Sequence, residues 1–283
     1  MSAIHLVARN DALDTNPSTG AKIALVTNGS DWYWTVFCVM AVTSLCYIGF
    51  TYKVERRERF FHYTSIAAAL FMSITYFSLA SNLGWTGIET EFGHYQNGGI
   101  RQVFYARYIG WFLTAPLLVL NMALFSGLNW VVSLFMATLV EIYVICGLIG
   151  ALVSTSYKWG YFTIGAVAWI LLFYNFTAVA VPSLGTLNAC TVEPKLRSVF
   201  LMILGCVGLI YSLYPVAWGL AEGGNVISPT SEGVFYGILD ILALPALNSA
   251  VLFFSRKLDI DELGLGIPEG TRNSAPAKSA GAA

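Results

Sequence analysis

The chain has 283 residues, 57% of them hydrophobic and 11% charged, with a mean hydropathy of +0.66 and a formal net charge of −1. That balance excludes an ordinary soluble domain, and without a basic tract there is no electrostatic footing for nucleic acid. The composition is that of a polytopic, all-α membrane protein.

Residues 1–30 are mostly polar, lack the apolar stretch of a cleavable signal and read as an extracellular segment. Seven apolar runs follow, near 32–52, 60–83, 101–125, 130–154, 159–181, 198–221 and 233–255. Each is long enough to cross ~30 Å of hydrocarbon as a helix. Residues 31–257 are therefore one transmembrane domain, and 258–283, rich in Ala, Gly, Pro and Ser, read as a disordered tail. Lys53, Arg56, Arg57, Arg59, Lys195, Arg197, Arg256 and Lys257 fall on one side of such a bundle. Excess Lys and Arg mark the cytoplasmic side, so the amino terminus is expected outside and the carboxyl terminus inside. Cys38, Cys46, Cys146 and Cys206 fall within runs and read as small buried hydrophobes; Cys190 falls in a cytoplasmic loop.

The third run carries Arg107 deep in apolar sequence, with Gly110, Trp111, Thr114, Leu118 and Asn121 at helical spacings of three and four. An arginine there is costly and is expected to face the interior with a partner. Asp240 in the seventh run offers the opposite charge, so a buried Arg107–Asp240 pair is expected; snorkelling of Arg107 to the interface is the alternative. In the fourth run Glu141 reads as a buried, hydrogen-bonded structural acid, with a proton-relay role as the sharper option. Glu222, ending the sixth run, reads as a solvated or water-linked carboxylate, or as a member of a network with Arg107 and Glu232. His5, His62 and His94 form no metal-ligand cluster, and no Ser-His-Asp set or Gly-Lys-Thr loop appears, so no enzyme and no metal site are expected.

Three stretches carry a family resemblance. Arg107-Tyr-Ile-Gly-Trp111-Phe-Leu-Thr114-Ala-Pro116-Leu-Leu resembles the third helix of the microbial rhodopsins. Tyr211-Ser-Leu-Tyr214-Pro215-Val-Ala-Trp218 resembles the aromatic wall of their sixth helix, and the run from Val234 through Asp240 to Asn248 resembles their seventh. The resemblance spans about residues 30–257 and implies a seven-helix bundle of bacteriorhodopsin type. It also implies what is missing. Leu244, four residues after Asp240, stands at the position of the lysine that binds retinal as a Schiff base. Gly110 stands at the position of the proton-accepting Asp, and Asn121 at that of the proton donor. Tyr76, Trp111, Thr114, Tyr211, Tyr214, Pro215 and Trp218 would outline an inherited pocket.

The nearest subgroup is the fungal opsin-related proteins, which include yeast heat-shock-induced membrane proteins. That likeness implies a plasma-membrane protein linked to stress or to proton homeostasis; with no lysine at 244 to form a retinal Schiff base, the leading expectation is a stress-linked chaperone or regulator of other membrane proteins. It also implies contact with the lipid bilayer and association as trimers. The alternatives are a passive ion or proton pathway, and a non-covalent binder of retinal or another apolar ligand.

Overall fold

Seven helices long and apolar enough to cross a bilayer run Thr27–Thr51 (α1), Phe60–Ala80 (α2), Tyr105–Phe125 (α3), Trp130–Ala151 (α4), Lys158–Leu184 (α5), Arg197–Gly223 (α6) and Pro229–Ser255 (α7). They are seen in a computed structural model that describes residues 10–56, 59–186, 194–258 and 263. Apolar side chains ring most of these helices, because their outer faces must satisfy lipid as the inner faces satisfy one another. Leu45, Ile74, Val131, Ile170, Leu209 and Phe253 accordingly stand exposed on the outside of the bundle. From α1 to α5 each helix packs on its chain neighbour, and α7 closes the ring against α1 and α6.

Local chemistry sets the helix ends. Gly127, at φ 77°, makes the turn after α3. Asn129 then caps α4 by accepting a hydrogen bond from the Val132 N–H at 3.0 Å. Ser228 caps α7 through the Ser231 N–H at 3.1 Å, and Pro229 takes the first helical position, where its missing N–H costs nothing. Within α7 the segment Leu242–Asn248 widens to π geometry around Pro245. A proline cannot donate to the helical ladder, and the widened turn takes up that missing bond. The Tyr47 hydroxyl donates to the Leu244 carbonyl at 3.2 Å across the α1–α7 contact.

The third span departs from the sequence expectation. Its first residues are not helical: Ile100–Val103 (β2) pairs antiparallel with Thr86–Glu89 (β1), and α3 begins only at Tyr105. Gly98 and Gly99, at φ 70° and 131°, turn the chain between the strands. Arg101 is thus a strand residue, buried to 1% exposure, and not a charge at a helix mouth. The amino-terminal segment joins this structure as well. Ile23 bridges to Arg101 in parallel, and the Leu25 N–H donates to Gln102 Oε1 at 2.8 Å. Asn82 Nδ2 donates to the Asn16 carbonyl at 2.6 Å. A strap from Asn10 onward and the hairpin therefore cover one end of the bundle, here called the hairpin end. Lys53, Arg56, Arg59, Arg256 and Lys257 lie at the opposite end.

One further reading needs correction. Cys38, Cys46 and Cys206 are exposed on the bundle's outer surface, and only Cys146 is buried among the described residues; Cys190 lies outside them. Lys158, at the start of α5, is 2% exposed, with Nζ 3.0 Å from Glu91 Oε2.

Candidate functional site

Helices α3 to α7 surround a cavity with a gross volume of about 830 Å³, part of it continuous with the outside. Of the residues expected to outline a pocket, Trp111, Thr114, Tyr211, Tyr214, Pro215 and Trp218 line it. Tyr76 does not, but it holds Asp240, which does. The aromatic walls are fixed by one another and by a polar handle. Trp169 and Tyr211 stack with centroids 5.6 Å apart, Phe162 stacks on Trp218 at 5.3 Å, and Trp218 Nε1 donates to the Gly147 carbonyl at 3.0 Å. Tyr143, also lining the cavity, was not anticipated from sequence; an isolated tyrosine in an apolar run carries no signal of its facing.

Leu244 forms part of this wall at 1% exposure. It lies one helical turn, about 6 Å of rise, beyond Asp240. Among the described residues no lysine lines the cavity. Lys22 donates to the Gln96 and Gly98 carbonyls, Lys158 meets Glu91, and Lys53 and Lys257 are exposed at the opposite end; the side chains of Lys195 and Lys278 lie outside the described set.

The expected Arg107–Asp240 pair is not formed. Asp240 accepts from the Tyr76 hydroxyl on Oδ2 at 2.5 Å, and from Trp111 Nε1 at 2.9 Å and the Tyr214 hydroxyl at 2.5 Å on Oδ1. Three uncharged donors thus occupy it, and no cation lies within ion-pair distance among the described residues. Arg107 is drawn instead toward the hairpin end, where Glu232 precedes Asp240 by eight residues, about 12 Å of helical rise. Its Nη1 donates to Glu232 Oε1 and lies 3.7 Å from Glu222 Oε1, its Nη2 donates to the Tyr33 hydroxyl at 2.7 Å, and its guanidinium sits over the Tyr236 ring at 4.5 Å.

Arg101 completes the cluster by donating to Glu232 Oε2 at 2.7 Å and to the Ile227 carbonyl at 2.6 Å. Glu222 accepts from the Tyr108 hydroxyl at 2.9 Å and the Tyr236 hydroxyl at 3.3 Å. Two arginines and two glutamates, all nearly inaccessible, therefore balance each other. Of the two readings open for Glu222, the network is the one formed. The Arg107–Asp240 pairing expected from sequence gives way because strand pairing buries Arg101, and Glu232 then accepts from both arginines.

The remaining expected positions separate. Gly110 is buried away from the cavity against α2: a Cβ there would lie 2.2 Å from Thr75 Oγ1 and 2.9 Å from Thr75 Cβ. The glycine lets α3 approach α2 closely. Asn121 sits at the other end of α3, accepting from the Thr64 hydroxyl at 2.6 Å and donating to Ser65 Oγ at 3.3 Å and Asn248 Oδ1 at 3.1 Å. This amide ties three helices together. Asn121→Ala is expected to cost about 1–3 kcal/mol, as buried partners lose their bonds, read by denaturation in mixed micelles; an unchanged midpoint would count against a structural tie. Glu141 is not a buried pocket acid. It is half-buried on α4, lines none of the cavities and makes no hydrogen bond to a described residue. An outward helix face in this span accommodates it at the bundle surface.

The model of the family described as bacteriorhodopsin-like proteins matches residues 28–244. The chain belongs to that family. Among the relatives of this bacteriorhodopsin-like protein, the opsin-like protein carO of Fusarium fujikuroi is 41% identical, over 96% of this chain and 92% of that one. The 30 kDa heat shock protein of Saccharomyces cerevisiae is 35% identical, over 82% of this chain and 74% of that one. Among solved structures, the light-driven proton pump LR (Mac) from Leptosphaeria maculans superposes with a TM-score of 0.75 at 28% identity, covering 85% of this chain and 98% of that one. The seven-helix architecture and the fungal opsin-related subgroup read from the sequence both agree with these matches.

Proposed function

We propose that this opsin-like membrane protein works without covalently bound retinal, as a stress-linked chaperone or regulator of other membrane proteins in the plasma membrane. One observation carries the first half: a hydrocarbon side chain, Leu244, forms the cavity wall one turn from Asp240, where the family resemblance places the amine. An aldehyde has nothing there to condense with. The stress link rests on kinship with a yeast relative named as a heat shock protein. The hairpin end is assigned to the outside, since the basic residues gather at the other end.

The test is reconstitution. Purified protein mixed with all-trans retinal is expected to show no visible band of a protonated Schiff base and no adduct trapped by borohydride. A trapped adduct at any residue would overturn the reading.

One alternative gains support from a specific observation. The cavity is open, apolar and walled by flat rings, which suits a ligand held without a covalent bond. The passive ion pathway gains none of that kind, because Leu118 and Leu244 face the route between Asp240 and Asn121 with hydrocarbon.

A further inference from the structure

Asp240 is a deeply buried carboxylate with no cation within ion-pair distance among the described residues. Arg101 and Arg107 are matched by Glu222 and Glu232, and Lys158 by Glu91. Asp240 is 3% exposed and lines the cavity. A carboxylate offers about four lone-pair sites, and Tyr76, Trp111 and Tyr214 use three of them. One site, on Oδ2, remains. Ionisable groups inside a membrane protein are costly unless partnered, and they mark sites.

The space beyond Asp240 is elongated. A second cavity, with a gross volume of about 440 Å³, shares Leu118, Tyr211 and Ala243 with the first and continues to Met122, Ile203 and Val251. On α7 the distance from Asp240 to Val251 is eleven residues, about 16 Å of rise. This inner lobe is walled almost wholly by hydrocarbon and aromatic rings. At the Asp240 end the lining includes Trp111, Tyr214 and Trp218, with Trp111 and Tyr214 turning their donor edges to the carboxylate.

We propose that the chamber binds a lipophilic amine from the bilayer, with its ammonium group against Asp240 and its hydrocarbon chain running into the inner lobe. The ammonium supplies the positive charge that the carboxylate lacks. Whether the proton arrives on the amine or comes from Asp240, the bound pair is the same. A chain bearing a carboxylate is disfavoured, because it would face Asp240 with no cation between them. A chain bearing an alcohol can fill the lobe but leaves the acid unpaired. The proposal rests on the cavity holding no covalently linked retinal.

The experiment compares dodecylamine, dodecanol and dodecanoate as probes of the full chain in phosphatidylcholine nanodiscs at pH 7. Binding is read by quenching of tryptophan fluorescence, and stoichiometry by native mass spectrometry. One dodecylamine per chain is expected, bound at least about tenfold more tightly than dodecanol, a difference of about 1.4 kcal/mol. No dodecanoate complex is expected. Asp240→Asn is expected to remove the preference for the amine while leaving dodecanol binding within about twofold. Equal affinity for amine and alcohol, or an amine preference that survives in Asp240→Asn, would overturn the proposal. If Asp240→Asn does not fold, Leu118→Trp, which fills the shared wall of the two lobes, decides: amine binding that persists at full affinity rejects the chamber as the site. A retinal adduct in the separate reconstitution would remove both readings, whereas failure of amine binding alone removes only this one.

Discussion

Glu232→Ala is expected to be among the most destabilising single substitutions in the membrane domain, at about 3–5 kcal/mol, the cost typical of removing one partner from a buried ion pair. Glu232 is fully buried and accepts from both Arg101 and Arg107. Its removal leaves two guanidinium groups to share Glu222, which stands 3.7 Å from Arg107 Nη1 and already accepts from Tyr108 and Tyr236. Glu232→Gln keeps an acceptor oxygen but no charge, and should fall between the wild type and alanine. Reversible unfolding in mixed detergent micelles measures all three. A loss below about 1 kcal/mol for alanine would show that water, not protein, solvates the arginines, as at exposed pairs.

Leu244→Lys is expected to form a pigment with retinal, whereas the unsubstituted protein is expected to stay colourless. The new amine would enter the cavity where the leucine side chain now lies, one turn from Asp240, which would serve as counter-ion without further change. Adding Gly110→Asp, the change that family likeness suggests, is expected to hinder this and not help. Its Cβ would strike Thr75 at 2.2 Å, and α3 would have to move off α2. Overpacking of this kind costs about 1–3 kcal/mol. Absorption spectra after retinal addition, with borohydride trapping and mapping of the labelled peptide, compare the single and double variants. A colourless single variant that folds normally would mean that the cavity does not admit the pigment. A double variant that is both stable and more deeply coloured would mean that Gly110 is not the contact described above.

Much of the fold was legible because its causes are local. Seven apolar runs of bilayer length fix seven spans, and the motifs around Trp111, Tyr214 and Asp240 name their helices. The aromatic lining was legible as well, since Trp111, Tyr211, Tyr214 and Trp218 keep a spacing that places them on inward faces. The failures arose where a partner lies far away in sequence. Arg101 looked like the mouth of a helix until strand pairing with Ile88 drew it inward, and its burial redirected Glu232 and hence Arg107. Gly110 could be read as an empty proton-acceptor position, but the contact that explains it is with Thr75 on a neighbouring helix. Glu141 shows the converse error: a charge in an apolar run was assumed to face inward, yet a span of 22 residues has an outer face too.

The strap has a consequence for the order in which the protein is made. Ile23 and Leu25 find their partners at Arg101 and Gln102, and Asn16 finds Ser81 and Asn82, so the beginning of the chain must wait for two later helices and a hairpin to emerge. Until then these residues lack the partners they have in the folded protein, and Arg101 in turn waits for Glu232 on α7. A bulky fusion joined close to Asn10 would burden that last docking step more than it would burden entry of any helix into the bilayer.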